Sequence, residues 1–284
     1  MNSHSSFDQM SKGKYILVDG TFVPTEEYRI SLPESEAFHF SEKIRAIRSS
    51  FPFFKDTLEL IKLKLLIYNH PFPEFTDNNG AGLKRQLERT LTKNKHFMGA
   101  VLDLTFRFTD ETVHFTILSS KLETIGFELN EKGLYAGIFD KIQKSVSTLS
   151  SLSLGSEIYW NIARSHLRNA SVDHFFLINT LDQISEIPGS NIYLIKGSSV
   201  RGVCSDQGAY IDITQPLMLD IFEELNLEYS EFEGITVTDV QEADEVLLVN
   251  AIEGTQWIIG FEGKRFFNNT IRKINEVFKQ RIAN

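Results

Sequence analysis

Short β-like runs and amphipathic helical stretches alternate along the whole of this 284-residue chain, and that mixture restricts it to an α+β fold. A chain of this length exceeds one ordinary core, so two domains are expected. The first is placed at 15–122, behind a polar segment 1–14 expected to be flexible. It opens with YILVDGTFVP, two β-like runs around the turn residues Asp19 and Gly20. FPFFKDTLELIKLKLLIYN then carries a helix-start signal, with Asp56 as cap and Glu59 three residues on, before Leu58, Ile61 and Leu65 recur at helical spacing. After the loop HPFPEFTDNNGAG, a charged helix from Leu83 to Lys95 leads into the strands AVLDLTFRF and TVHFTILSS, joined through Thr109, Asp110 and Glu111.

The second domain, 123–284, mixes strands and helices in a β-rich, barrel-like order. Gly133 to Phe139 reads as a strand, SVSTLSSLSLGS as a serine-rich polar stretch, and Glu157 to Arg168 as a helix. The strand HFFLIN, a turn at Leu181 and Asp182, and the strand SEIPGSNIYLI come next. Thr214 caps a helix that holds Pro216 in its first turn, where proline is tolerated. EVLLVNA and WIIGFEG are strands, and Thr270 opens a last helix with Ile271, Ile274, Phe278 and Ile282 on one face.

Composition excludes several classes. The formal net charge is −9 and no basic cluster occurs, which argues against a nucleic-acid partner. The longest apolar stretch, around Leu58 to Tyr68, is interrupted by Glu59, Lys62 and Lys64, and it falls far short of the ~20 residues of a membrane span. The first residues lack the apolar core of a secretion signal. Cys204 is the one cysteine, so no internal disulfide forms and a reducing cytoplasm is expected. Histidines 4, 39, 70, 96, 114, 166 and 174 are scattered without metal-ligand spacing, and no dinucleotide, Walker, zincin or nucleophile-elbow motif occurs.

Four stretches carry a more specific signal. The opening YILVDGTFVP, the central HFFLINTLDQISEIPGSNIYLI with its Glu-x-x-x-Ser-Asn, the segment DQGAYIDITQPLMLDIFEEL, and the late VTDVQEADEVLLVNAIEGTQWIIGFEGK stand in order. Together they resemble the class IV aminotransferases, of the D-amino-acid and branched-chain type, and their aminodeoxychorismate-lyase relatives, over about Tyr15 to Phe278. The resemblance implies a two-domain D-amino-acid aminotransferase-like fold with a small α/β N-terminal domain and a larger, β-barrel-like α/β C-terminal domain. It also implies a homodimer, to which Phe51 to Phe54 could contribute unless they are core. The cofactor it implies is pyridoxal phosphate, held by a Schiff-base lysine, a carboxylate on the pyridinium nitrogen, and helix N-terminal amides on the phosphate. By this resemblance the carboxylate is Glu186, the phosphate amides belong to Ile213 and Thr214, and Asn250 and Ala251 form the second phosphate-facing turn.

The same resemblance exposes departures. Its lysine position falls on Ser153, and no lysine lies between Lys144 and Lys196. Lys144 and Lys141 are nine and twelve residues upstream, expected to be too far along the chain to occupy the same point unless the loop is rebuilt. Leu60 stands where the resemblance implies a phosphate-binding arginine, and Ser41-Glu42-Lys43 replaces a Gly-Asp-Gly turn. Arg45 takes the place of an aromatic facing the site. Asp212 replaces a glycine next to the phosphate amides, where its charge opposes a phosphate. Three functions stand as expectations. One is a catalytically degenerate protein that binds a partner or a small anion, with Arg45, Arg48 or Arg107 as counter-charges. Another is an active pyridoxal-phosphate aminotransferase or lyase that uses Lys144 or Lys141. The third is a hydrolase built on Ser153, for which the sequence nominates no base.

Overall fold

The computed structural model describes residues 11–31, 38–109 and 112–283. They divide in sequence between Gly126 and Phe127 into two compact units, rather than after 122.

The first unit is an antiparallel sheet of β1 (Ser11–Val18), β2 (Thr21–Pro24), β3 (Phe38–Ile47), β4 (Gly99–Phe108) and β5 (Val113–Lys121), in the order β2-β1-β5-β4-β3. β1 takes in residues 11–14, which the sequence assigns to a flexible lead; 1–10, like Asp110 and Glu111 of the expected turn, lie outside the described residues. Asp19 and Gly20 have φ of 46° and 84°, the paired positive values a two-residue hairpin turn needs, and Val18 faces Thr21 across it.

Helix α1 (Phe54–Ile67) and helix α2 (Asp77–Asn94) belong to this unit. α1 begins before Asp56, and no side chain caps it. Phe51 and Phe53 are buried just ahead of it, which makes them core residues rather than interface candidates. Asp56 sits instead in the first turn, where its charge complements the helix dipole. Leu58, Ile61 and Leu65 face inward, each burial stabilising the unit by roughly 1.5–3 kcal/mol.

The second unit contains β6 (Leu134–Lys144), α3 (Ser153–Leu167), β7 (His174–Asn179), β8 (Ile184–Glu186), β9 (Asn191–Lys196), β10 (Ser199–Val203) and α4 (Gln215–Glu224). It continues through β11 (Glu228–Phe232), α5 (Val237–Glu242), β12 (Glu245–Asn250), β13 (Gly254–Phe261), β14 (Lys264–Arg265) and α6 (Asn269–Ala283). The strands form one mixed sheet in the order β11-β10-β9-β12-β13-β6-β7-β8, with β14 paired to β13. A bridge between Ile184 and Ile235 ties β8 to the segment before α5. The core gathers Phe176, Ile192, Leu194, Val246, Leu248, Ile258 and Phe261.

Two departures from the sequence reading place the buried polar groups of this unit. SEIPGSNIYLI is two strands rather than one, because Ile187 and Ser190 pair across a Pro188-Gly189 turn and so leave Glu186 at a strand end. β6 runs to Lys144 rather than stopping at Phe139. Its register with β7 slips from Phe139↔Leu177 to Lys144↔Asn179, and the segment 140–143 bulges into solvent. No helix among the described residues is long and apolar enough to cross a membrane.

Ile61 is fully buried and Leu63, on the same helix, is 44% exposed. Urea unfolding therefore distinguishes them: Ile61→Ala lowers stability by about 2–5 kcal/mol, and Leu63→Ala by no more than about 0.5 kcal/mol.

Candidate functional site

Two buried carboxylates organise the second unit. Glu186, at the end of β8, is 1% exposed and is met by three donors. Lys144 Nζ donates to Oε2 at 2.6 Å, the Tyr210 backbone N–H to the same oxygen at 2.7 Å, and Trp160 Nε1 to Oε1 at 2.5 Å. Lys144 is fully buried and also donates to the Ser150 carbonyl at 3.2 Å.

The serine-rich stretch makes this approach feasible. Ser150 Oγ donates to the Ser145 carbonyl at 2.8 Å, Ser147 N–H donates to Ser150 Oγ at 3.1 Å, and Ser156 Oγ donates to the Ser150 carbonyl at 2.8 Å. These short side-chain bonds fold the stretch back over the end of β6. The expectation that Lys144 lies too far along the chain is thereby corrected, since the bulged strand and the serine turn carry its ammonium onto Glu186. Ser153 opens α3 and is half-buried.

Burial draws the Lys144 ammonium down and pushes the Glu186 carboxyl up, while their mutual attraction opposes both. Such a pair adds little net stability, but removing one partner strands a charge. Lys144→Met is expected to cost about 3–5 kcal/mol in denaturant unfolding, and Lys144→Met with Glu186→Gln to recover most of it. Equal loss in the single and double variants would contradict the pairing.

The second carboxylate is Asp212, 5% exposed, just ahead of α4. Its Oδ1 accepts from Thr214 N–H at 2.9 Å and from Thr214 Oγ1 at 2.7 Å; the Tyr210 hydroxyl reaches Oδ2 at 3.4 Å. The backbone amide of Ala251, beyond β12, also favours the ionised form of this carboxylate, least of the groups around it. Thr214 holds the N-cap position that the sequence gave it, but its hydroxyl donates to Asp212 and makes no side-chain cap bond to α4. Asn191 Oδ1 fixes the segment by accepting the Asp212 N–H at 2.9 Å.

The five residues expected to hold a cofactor are thus accounted for. Thr214 and Ala251 converge, but on Asp212. Ile213, between Asp212 and Thr214 in sequence, is half-buried. Asn250 turns its Oδ1 onto its own following amides, Ile252 at 2.9 Å and Glu253 at 2.7 Å, and its Nδ2 donates to Ser190 Oγ at 2.9 Å. Glu186 holds Lys144, Trp160 and Tyr210. Tyr210 joins the two ends, its amide on Glu186 and its hydroxyl on Asp212. A cavity bordered by Asn191, Tyr193, Tyr210, Gln215 and Tyr229 has about 10 Å³, the room of about one water.

In the first unit, Arg45 is not a counter-charge for a ligand. It is buried on β3 and its guanidinium caps the carbonyls of Thr124, Ile125 and Gly126 at 3.1, 3.3 and 2.9 Å. Ser41, Glu42 and Lys43 lie inside β3 rather than in a turn, and Glu42 forms an ion pair with the buried Lys64. Leu60 is half-buried on α1, and Arg48 is exposed in the turn after β3.

Burial pushes the Asp212 carboxyl up to about 6, against the bonds from Thr214, Tyr210 and Ala251 that favour its ionised form. A raised carboxyl stabilises the fold below its unfolded value, and that contribution is lost as pH rises through about 6. Asp212→Asn is expected to remove a loss of about 3 kcal/mol between pH 4 and 7, measured by urea unfolding across that range. An unchanged pH profile would contradict the burial.

This architecture is the class IV aminotransferase-like two-domain fold. The branched-chain amino acid aminotransferase of Escherichia coli is similar at 16% identity, over 94% of this chain and 93% of that one, with a TM-score of 0.80. That of Thermobaculum terrenum, in its PLP form, shares 15% identity over 95% and 94%, with a TM-score of 0.78. A Legionella pneumophila protein assigned as a 4-amino-4-deoxychorismate lyase shares 15% over 90% and 97%, with a TM-score of 0.75. No protein-family model and no curated protein sequence matches the chain.

Pyridoxal phosphate, the group this fold implies, needs an available amine, a carboxylate for its ring nitrogen and a vacant set of phosphate donors. Here the amine and carboxylate are bound to each other, and the phosphate donors hold a carboxylate. A phosphate about 4 Å from an ionised Asp212 would be repelled by about 4 kcal/mol at a local dielectric near 20. A helix N-terminus returns only about 0.3–2 kcal/mol to an anion. With Asp212 ionised, that repulsion exceeds the return, so the arrangement as it stands opposes the group.

Proposed function

We propose that this chain is a non-catalytic protein of the class IV aminotransferase fold that acts by binding rather than by Schiff-base chemistry. The observation that carries the reading is Asp212, whose carboxylate takes the Thr214 amide and hydroxyl that a phosphate would require. Ser153 in place of a lysine and Leu60 in place of an arginine agree with it. On this reading the chain is a cytoplasmic homodimer, and its ligand is a protein partner or a small anion.

A second reading has one observation in its favour. Lys144 stands at Glu186, so an amine and an acid are together in the buried site of an active pyridoxal-phosphate aminotransferase or lyase. The serine-hydrolase reading has no comparable support.

The test is to purify the protein with pyridoxal phosphate, remove the excess, treat with borohydride and map peptides. The expected result is no cofactor absorbance and an unmodified Lys144. A borohydride-stable adduct on Lys144 would establish the second reading instead. Light scattering on the same sample is expected to give twice the 32.5 kDa chain mass, and a monomer would remove the dimer from the proposal.

A further inference from the structure

Alternation along β9 puts Leu194 and Lys196 on one face of the strand and Tyr193, which borders the water-sized cavity, on the other. On the Leu194 face, β10 sets Arg201 opposite Leu194 and Ser199 opposite Lys196, and β11 brings Phe232 alongside them. α5 packs against β9 on this face, and the sheet and helix enclose a second cavity of about 130 Å³. Buried Leu194 and Ala243 give it an apolar wall. That volume is close to the ~150 Å³ that admits a molecule the size of benzene.

The two sides of this cavity carry opposite charge. On the sheet side the Arg201 guanidinium lies 4.2 Å from the centre of the Phe232 ring. Among the described residues no carboxylate or carbonyl accepts from it. Stacking holds the plane of the guanidinium and leaves its edge donors unused. On the helix side Asp239 commits Oδ2 to Thr236, accepting the backbone N–H at 2.8 Å and the hydroxyl at 2.5 Å. Its Oδ1 has no partner among the described residues. Glu242, on the same helix, meets Lys196 at 3.2 Å in an exposed pair worth no more than about 1 kcal/mol. Arg201 and Asp239 are thus each held by a different neighbour, and they do not pair with each other. An unused cation and an unused carboxylate oxygen remain on opposite sides of an open cavity.

We propose that this cavity binds a small ammonium carboxylate, with its carboxylate on Arg201 and Ser199, its ammonium on Asp239, and its carbon chain against Phe232 and Leu194. The guanidinium fork matches a carboxylate in two parallel bonds, and the Asp239 oxygen accepts from an ammonium. The size of the cavity restricts the chain between the two charges to a few carbons. Both Glu186 and Asp212 lie outside this set, so the site is additional to the one described above and stands apart from the non-catalytic reading.

The experiment is a thermal-shift and calorimetric titration of the full chain with β-alanine and 4-aminobutyrate. Propionate and propylammonium, which each carry one of the two charges, are the controls at equal ionic strength. Saturable binding of at least one zwitterion is expected, at least tenfold tighter than either control. Arg201→Gln and Asp239→Asn are each expected to weaken it at least tenfold; the asparagine keeps an oxygen for the Thr236 bonds. Both side chains reach the surface, and urea unfolding checks that the variants fold. Arg201→Met, whose stem still covers Phe232, replaces the glutamine variant if that one does not fold. A wild type that binds neither zwitterion would overturn the proposal, as would propionate binding as tightly as the zwitterions. Zwitterion binding that is unchanged in Arg201→Gln would also overturn it, by placing the ligand elsewhere. Borohydride mapping of Lys144 decides the non-catalytic reading, so the two failures are read from different measurements.

Discussion

A carboxylate removed from water has to be met by donors, and the second unit is arranged around that requirement at Glu186 and Asp212. Glu186 ends a strand and Asp212 lies just ahead of α4, and both are buried, so neither is solvated by water. The chain supplies the donors itself: an ammonium, an indole and an amide to Glu186, and an amide and two hydroxyls to Asp212. The β6 bulge, the serine turn and the Tyr210 segment are all placed by this need. Electrostatics at these two points therefore decides what else can enter.

The charge at each end of the site is balanced by the chain itself. Glu186 needs a cation, and Lys144 provides one from a strand end. The donors around Asp212 need an anion, and Asp212 provides one. With both ends met internally, a ligand with a cationic and an anionic end has to displace two existing partnerships. Each partnership is buried, where breaking one costs several kcal/mol.

Much of the fold was legible in the sequence because short-range rules govern it. The Asp19-Gly20 hairpin, the Leu58-Ile61-Leu65 face and the Ile271-Ile274-Phe278 face arise from turn chemistry and periodicity, and the structure contains all three. Glu186 was legible only through resemblance. Lys144 was named from the sequence but set out of reach, because β6 breaks alternation at residues 140–143 and periodicity places its end at Phe139. A signal was present in the serines just beyond it, whose side chains fold a strand exit back on itself. Arg45 was misplaced for a different reason. Its partners are carbonyls at 124–126, about eighty residues away, and no local pattern announces them.

The central claim is that the chain's own charges occupy both ends of the site, and a crystal structure of wild-type protein grown with excess pyridoxal phosphate tests it most directly. Lys144 Nζ is expected on Glu186 and the Asp212 carboxylate on the Thr214 amide and hydroxyl, with no phosphate density there. Phosphate density at those Thr214 donors, with Asp212 turned away and Lys144 released from Glu186, would contradict it.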